Sequence, residues 1–322
     1  MIGEHDRAGN ILRSRRYTTG AHSQEQAVKT LFESLEDYRR TVGFEGEPAG
    51  AGLGIVGVVN HNEGLWLSIN HIVTNPPIPL ASMLEKELGI PVLIDNDVRS
   101  TTAAELILGH GRKTGNFIYL NVGTGLAAGF VIDGRILRGA NNNSGEIGHM
   151  VTDIRSRQEC ICGRHGCAEN IVSGVGFAQS ALRLAPFYST ALSLPEEGNG
   201  IDVKEIFRLA DRGDPLCVKL TGDAALTLAC VIMNLVRVTD PEMVILGGGV
   251  ISDGWLLGKV RELLNPATIR GVQKGIVLSD FQPQNAGLLG AAALAMLASG
   301  ELKIHRKEDE ADEKILSGQH VC

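Results

Sequence analysis

The sequence has no excess of positive charge and no long uninterrupted apolar run. Its 322 residues carry 37 acidic and 30 basic side chains, which gives a formal net charge of −7. Modules that bind nucleic acid usually show a basic face and a high isoelectric point, so we expect no DNA binding by this chain itself. No apolar window is long enough to span a bilayer. The longest one, residues 223–238, is flanked by charge and predicts a buried helix, so we expect no membrane partner.

Two further signatures are missing. The sequence does not open with a basic stretch followed by an apolar segment, which argues against a secretory signal and predicts a cytoplasmic location. It also has neither the Gly-Lys-Ser/Thr of a P-loop nor a Gly-x-Gly-x-x-Gly that opens a helix. These absences exclude two common nucleotide sites, but backbone amides at other glycine turns can still bind phosphate.

What the sequence does have is 40 glycines and an alternation of strand and helix patterns over a length that suits two domains. Two extended runs surround an early Arg-Ala-Gly-Asn turn, and helical spacing from Ser23 to Thr41 starts with a capping-box pattern, Ser23 and Gln26. Strands are predicted at 53–59, 91–95, 116–123, 127–133, 242–249 and 274–280, and helices at 79–88, 97–109, across much of 173–240, and at 286–299. The alternation predicts an α/β fold.

The strongest local signal is a cluster of cysteines in residues 160–167. Cys160, Cys162 and Cys167 lie within eight residues, and two glycines between them let the chain fold back on itself. Zinc takes four ligands in a tetrahedron, so these thiolates would be joined either by His149 or by His165. Such a closed site would be structural and would order the loop that carries Glu146 and Glu169. The alternative is three reduced thiols without a metal.

Two glycine turns follow apolar strands. The first contains Gly123, Thr124 and Gly125, and the second contains Gly247, Gly248 and Gly249. A glycine turn at a strand end lets phosphate or ribose approach the backbone amides, although each turn alone is better explained as a plain tight turn. Two of them on separate strands suggest a nucleotide cleft bounded by two sheets.

A candidate general base follows the predicted strand 91–95. Asp97 lies where that strand ends and a helix begins, a position where ligands collect in α/β sheets. Its carboxylate could take the proton from a hydroxyl that attacks a phosphoryl group. Local sequence favours the simpler role of a helix cap for Asp97, and Asp95 and Asn96 are ambiguous in the same way.

These segments together resemble the ROK family of bacterial sugar kinases and sugar-responsive regulators. Residues 121–150, with Gly-Thr-Gly and Gly-Glu-x-Gly-His, and residues 160–174, with Cys-x-Cys-Gly-x-x-Gly-Cys-x-Glu, look like its signature. Residues 90–105 and 240–250 are similar to its base-bearing strand and its adenosine loop, and 286–295 to its closing helix. The resemblance implies an actin/hexokinase-like (ribonuclease H-like) fold of two domains with a cleft between them, which binds sugar and ATP with Mg²⁺.

The resemblance also implies a role for each matching residue. Asp97 matches the catalytic base, and it shares the sugar with Asn96, Glu146, His149 and Glu169. His149 also completes the zinc set with Cys160, Cys162 and Cys167, which favours it over His165. Gly123, Thr124 and Gly125 match a phosphate loop, and Gly247, Gly248 and Gly249 match the nucleoside loop. With the match, a functional role for Asp97 becomes the favoured one.

One element of the family pattern is missing. The family opens with a strand and an Asp-x-Gly-Gly-Thr loop for the ATP phosphates and Mg²⁺, whereas this sequence opens with what resembles the next strand and contains no such loop. Loss of a central strand would leave two strands without a backbone partner. We expect a misassigned start codon; the alternative is a remnant that cannot handle ATP normally.

The predicted domains are a small one, 1–109 with about 286–299, and a large one with the zinc loop, 110–285, followed by a disordered charged tail, 300–322. The predicted function is ATP-dependent phosphorylation of a hexose or N-acetylhexosamine. The alternatives are the sugar-binding part of a regulator without its helix-turn-helix, and a catalytically inactive sugar-binding protein. The resemblance also implies a homodimer.

Overall fold

The computed structural model describes residues 1–18, 20, 23–69, 76–194 and 200–300. Within them the strands are β1 (Ile2–His5), β2 (Ile11–Arg15), β3 (Ala51–Ile55), β4 (Val58–Asn60), β5 (Leu65–Ser68), β6 (Val92–Asn96), β7 (Phe117–Val122), β8 (Leu126–Ile132), β9 (Arg135–Ile136), β10 (Met243–Gly247) and β11 (Ile276–Leu278). The helices are α1 (Gln24–Thr41), α2 (Leu80–Leu88), α3 (Asp97–Ile107), α4 (Glu169–Val172), α5 (Gly174–Leu184), α6 (Val203–Asp211), α7 (Pro215–Thr239), α8 (Trp255–Leu263), α9 (Pro266–Ile269) and α10 (Pro283–Ala298).

The chain forms two compact units. The first contains Met1–Gly115, Asp133–Ser144 and the residues from Gln284 onward, and the second contains Asn116–Ile132 and Gly145–Pro283. The domain limits given above remain a prediction. The tail predicted to be disordered lies, from residue 301, outside the described residues.

In the first unit the strands form separate pairs. β1 and β2 are an antiparallel pair, β3 and β6 are a parallel pair, and β4 and β5 are a short hairpin. An apolar core that includes Leu35, Trp66 and Ile94 lies under these strands. α1 begins as the sequence predicts, because the Ser23 side chain accepts a hydrogen bond from the backbone N–H of Gln26.

The strand predicted at 53–59 is interrupted. β3 ends at Ile55, and β4 begins at Val58 after Gly57. Gly57 has φ +98°, and a Cβ there would lie 2.0 Å from the carbonyl oxygen of Ser68. Only glycine fits this backbone, and the turn sends the chain into a different pair of strands.

In the second unit, four strands of one sheet run in the order β11–β10–β7–β8. β10 is parallel to both β7 and β11, and β7 and β8 form an antiparallel hairpin. All five residues of β10 are buried, as expected for a parallel strand covered on both faces. This sheet and the helices packed on it form the larger apolar core.

α7 is the longest helix of this unit. It is long and apolar enough to cross a membrane by length and composition alone, but 61% of its most apolar window is buried inside the protein. Leu220, Leu228 and Ile232 lie in the core. Asp214 caps its N-terminus by accepting from the backbone N–H of Cys217 at 3.0 Å. The buried helix predicted over residues 223–238 is part of α7.

Candidate functional site

The turn between β6 and α3 carries the predicted base. Asn96, not Asp97, is the N-cap of α3: its Oδ1 accepts hydrogen bonds from the backbone N–H groups of Val98 at 2.9 Å and Arg99 at 3.3 Å. The preference for Asp97 as the cap was therefore wrong. The Asn96 Nδ2 also donates to the carbonyl of Gly57 at 3.1 Å. An amide nitrogen has two N–H groups, so one of them is left for a ligand.

Directly before this turn, Asp95 is completely buried and binds two arginines. Its Oδ1 accepts from Arg99 Nε at 2.8 Å and from the backbone N–H of Asn96 at the same distance. Its Oδ2 accepts from Arg138 Nε at 3.0 Å. A buried carboxylate with these partners holds the Asn96 backbone in place.

Arg99 and Arg138 connect this turn to a second segment of the same unit. Arg138 opens the segment 138–144, and Arg99 Nη1 donates to the carbonyls of Asn142 at 3.1 Å and Ser144 at 3.4 Å. The Arg99 Nη2 is buried and has no hydrogen-bond partner among the described residues. Sequence reasoning missed this network. Asp95 lies on β6 and Arg99 on α3, so their spacing of four residues is not that of a helical pair, and nothing local links Asp95 to Arg138.

His61 lies beside the same carboxylate. Its Nδ1 is 2.8 Å from the carbonyl oxygen of Ile94 and 3.5 Å from Asp95 Oδ2. Burial lowers the pKa of His61, and the Arg138 guanidinium lowers it further. The imidazole is therefore neutral at pH 7, and it acts here as a hydrogen-bonding group and not as a cation.

In the second unit, the structure brings together four potential metal ligands: His149, Cys160, Cys162 and Cys167. Their ligand atoms all lie within 4.8 Å of one another. The His149 Nδ1 is 3.4 Å from Cys160 Sγ, and the sulfurs of Cys162 and Cys167 are 3.6 Å apart. With Zn–S bonds of about 2.3 Å, a tetrahedral ion separates two sulfurs by about 3.8 Å. The set therefore fits zinc, and it contains His149 and not His165.

The thiols of this cluster interact strongly. Burial, together with the neighbouring thiols, raises the pKa of Cys167 to about 12. Close thiolates repel one another, so three of them in one place need a cation. The chemistry of the donor set therefore agrees with its geometry.

In the sequence, Glu146 precedes the metal ligands and Glu169 follows them. Glu146 directly precedes the short 3₁₀ turn Ile147–His149. Glu169 is the first residue of α4, and its Oε2 accepts from the backbone N–H of Leu126 at 2.8 Å. Leu126 follows the Gly-Thr-Gly turn, so Glu169 links the turn between β7 and β8 to the segment that carries Cys167.

The two glycine turns lie side by side, at the carboxyl ends of two neighbouring strands of one sheet. β7 and β10 are parallel neighbours, with Gly247 opposite Asn121. The backbone N–H of Val250, after the second turn, donates to the carbonyl of Val122 at 3.0 Å, and that of Gly174 donates to Gly123 at 2.8 Å. The turns follow separate strands, as predicted, and these strands are neighbours in one sheet; the cleft bounded by two sheets stays a prediction. Sequence spacing of about 120 residues could not reveal that their strands are adjacent.

Comparison with known proteins identifies a family. The sequence model described as the ROK family matches residues 2–297. A glucokinase of Halalkalibacterium halodurans is 32% identical over 208 residues, which are 64% of this chain and 62% of that protein. The chain thus matches less than two thirds of that relative. An N-acetylmannosamine kinase of Citrobacter koseri is 31% identical over 277 residues, 84% of each protein.

A solved structure extends the comparison to regulators. The crystal structure of a ROK family transcriptional regulator, a homologue of the E. coli MLC protein, has a TM-score of 0.76 at 26% identity. The similarity covers 92% of this chain and 74% of that one.

Proposed function

Because the chain belongs to the ROK family and has an actin/hexokinase-like fold, we propose that it phosphorylates a hexose or an N-acetylhexosamine with ATP. Relatives named for these two substrate classes, a glucokinase and an N-acetylmannosamine kinase, support the proposal. The domain limits and the homodimer given above are part of the same proposal.

The observation that carries it is the division of roles between Asn96 and Asp97. Asn96 is the N-cap of α3, and Asp97 is the first helical residue, whose Oδ1 shares the backbone N–H of Val98 with Asn96 at 3.0 Å. Asp97 lies at the carboxyl end of β6, at the first position of α3. In the proposed reaction its carboxylate accepts the proton of the sugar hydroxyl as the oxygen attacks the γ-phosphoryl group.

The proposed sugar contacts are Asn96, Asp97, Glu146, His149 and Glu169. Asn96 would donate its remaining amide N–H, and Glu169 would accept through Oε1, because its Oε2 binds Leu126. His149 would bind the metal through Nδ1, the nitrogen near Cys160, and the sugar through Nε2. These assignments predict recognition of several hydroxyl groups at once.

The proposed nucleotide contacts come from the two adjacent glycine turns, Gly123–Gly125 and Gly247–Gly249. Their backbone N–H groups lie at the same sheet edge and can approach phosphate or ribose. No Asp-x-Gly-Gly-Thr occurs in the 322 residues. We therefore assign no residue to Mg²⁺, and the chemistry described here is limited to positioning and proton transfer.

The proposed zinc is structural. With His149, Cys160, Cys162 and Cys167 as ligands, it has no open coordination position for a substrate. It would hold the loop between Glu146 and Glu169, which has few apolar side chains to order it. Bound zinc supplies fixed geometry and neutralises the thiolates.

A second candidate is the sugar-binding part of a regulator. The similarity to the regulator structure favours it. Such a protein would bind sugar without turnover.

The test is the Asp97→Asn variant, measured by a coupled assay of ADP release over common hexoses with zinc-replete protein. We expect the variant to bind sugar in calorimetry and to lose about 10²–10⁴-fold in kcat, the usual contribution of a general base. The matched control is Asp223→Asn, a surface change on α7 where Asp223 pairs with Lys219. Full turnover in Asp97→Asn would disprove the assignment. Sugar binding without ADP release in the wild type would favour the regulator.

A further inference from the structure

A buried ion pair spans the turn that carries Asn96 and Asp97. Asp95 is near the end of β6, and Arg99 lies in the first turn of α3, so the two partners stand on either side of that turn. Both side chains are buried, and Arg99 Nε donates to Asp95 Oδ1 at 2.8 Å. The pair therefore closes a short loop of the chain around Asn96 and Asp97.

One oxygen of Asp95 connects this pair to the backbone of the turn. Oδ1 accepts the Arg99 Nε–H and also the backbone N–H of Asn96, both at 2.8 Å. A carboxylate oxygen that is bound to a guanidinium has a fixed position for its second hydrogen bond. Arg138 donates to the other oxygen, Oδ2, at 3.0 Å. Arg99 is thus the arginine bound to the oxygen that holds the Asn96 backbone.

The far end of the Arg99 side chain holds a second segment of the same unit. Its Nη1 donates to the carbonyls of Asn142 at 3.1 Å and Ser144 at 3.4 Å. Asn142 has φ +56°, a conformation that few residues other than glycine adopt. Ser144 lies two residues before Glu146 in the sequence. Arg99 therefore fixes the segment 138–144, which leads to a proposed sugar contact, to the turn that carries two others.

This network is a poor source of stability. Arg99 Nη2 is buried and has no hydrogen-bond partner within the described part of the chain, and a buried donor without an acceptor destabilises a fold. A buried ion pair is often no more stable than apolar side chains of the same volume. Residues that bind a substrate, in contrast, need supporting hydrogen bonds that lock their geometry. The contacts of Arg99 therefore favour a role in positioning.

We propose that Arg99 is a positioning residue of the sugar site. It holds the Asp95 carboxylate on the Asn96 backbone and binds the segment 138–144 to the same turn, so that Asn96 and Asp97 are fixed before the sugar binds. The inference rests on the proposed function, in which these two residues contact the sugar. Both contacts of Arg99 come from one planar guanidinium, whereas a lysine ammonium is a point charge on a flexible stem. Arg99→Lys therefore keeps the charge and loses the geometry.

The experiment compares three variants of the full chain. Arg99→Lys removes the planar group, Arg138→Lys changes the arginine on the other oxygen of Asp95, and Leu84→Ala truncates a buried residue of α2, which destabilises the core of the same unit. Urea unfolding gives stability, calorimetry with glucose and with N-acetylmannosamine gives sugar affinity, and ADP release gives kcat. Hydrogen exchange is measured by mass spectrometry on a peptide that contains Asn96, relative to a peptide of α1.

The three variants have different expected results. In Arg99→Lys the relative exchange at the turn should rise about 10-fold, because the Asn96 N–H loses an acceptor of fixed position. Sugar affinity and kcat should each fall about 10-fold or more, since misplaced groups lose the productive geometry. These quantities should change less in Arg138→Lys, where the Oδ1 contacts remain. In Leu84→Ala they should change less than about 2-fold while the urea midpoint falls.

A measurement on the wild type tests whether the turn is fixed before the sugar binds, and it needs no folded variant. Saturating sugar should slow the relative exchange at the turn by less than about 3-fold, because little order remains to be gained. A slowing of about 10-fold or more would mean that the sugar itself orders the turn. That result would overturn the inference.

The variants give two further decisive outcomes. Wild-type sugar affinity and kcat in Arg99→Lys, with only the urea midpoint lowered, would give Arg99 the same structural role as Leu84 and would overturn the positioning role. A wild type that binds neither sugar and releases no ADP would instead refute the proposed function. The relative exchange at the turn in Arg99→Lys would then still decide whether Arg99 positions the turn.

Discussion

The buried carboxylate of Asp95 leads to a prediction whose size follows from its surroundings. Asp95→Asn keeps the volume of the side chain but replaces an acceptor oxygen by an N–H₂ group. In the wild type Arg99 binds Oδ1 and Arg138 binds Oδ2. In the variant only one of these two atoms is an acceptor, so one of the two guanidinium groups faces an N–H₂ group. Removing one partner of a buried ion pair costs about 3–5 kcal/mol, so we expect the free energy of unfolding of the first unit to fall by about this amount.

Its matched control is an exposed ion pair in the same unit. Glu87 binds Arg39 at 2.5 Å, but 43% of the Glu87 side chain is exposed, whereas that of Asp95 is 0% exposed. Exposed pairs contribute at most about 1 kcal/mol. Glu87→Gln should therefore change the free energy of unfolding by less than about 1 kcal/mol.

The two tryptophans allow the first unit to be measured by itself. Trp66 lies in the core of the first unit, and Trp255 lies in the second, stacked on Phe207. Because two units can unfold separately, we would use urea unfolding followed by Trp66 fluorescence in a Trp255→Phe background. At about 1–3 kcal/mol per molar urea, the midpoint of Asp95→Asn should fall by at least about 1 M. A decrease no larger than that of Glu87→Gln would refute the reasoning.

Two other predictions concern His61 and the metal cluster. Burial lowers the pKa of His61, so the unfolded chain binds more protons at this site than the native protein does. The neutral His61 therefore contributes stability that is complete above the ordinary pKa of about 6.5 and is lost as the pH falls below that value. The urea midpoint of the first unit should decrease from pH 7.5 to 5.5. In His61→Gln, where the new side chain still faces Asp95, Arg99 and Arg138, the midpoint should decrease less over the same range. An equal decrease of the midpoint in the two proteins would contradict this. For the metal, a colorimetric zinc assay should find one equivalent in the wild type and in Cys230→Ser, a cysteine outside the cluster, but less than one in Cys162→Ser. Full zinc in Cys162→Ser would exclude Cys162 as a ligand.

The family and the α/β, actin/hexokinase-like fold could be predicted from the sequence, and both are confirmed. The motifs indicated the family. Apolar runs such as those of β7 and β10 predicted the strands, because a strand buried on both faces is apolar at nearly every position. The cap of α3 could not be predicted, since Asp95, Asn96 and Asp97 are consecutive and both Asp and Asn cap helices. Only the backbone direction at the strand end decides among them.

The candidate site was predictable to a similar extent. The residues that form the metal cluster are close in sequence, so their spacing already suggested the cluster, and the structure places His149, which the resemblance favours, and not His165 beside the thiols. The zinc ion itself and the ligand contacts remain predictions. Arg138 could not be found, because it meets Asp95 across 43 residues. The adjacency of the two glycine turns is likewise a property of sheet order.

The hydrogen bond from Leu126 to Glu169 has a mechanical consequence. Glu169 lies two residues after Cys167, so the turn at Gly123–Gly125 and the metal cluster are joined by one side chain and a few rigid bonds. With the proposed zinc bound, the metal ligands would therefore resist displacement of this turn, and removal of the ion would leave the turn less constrained.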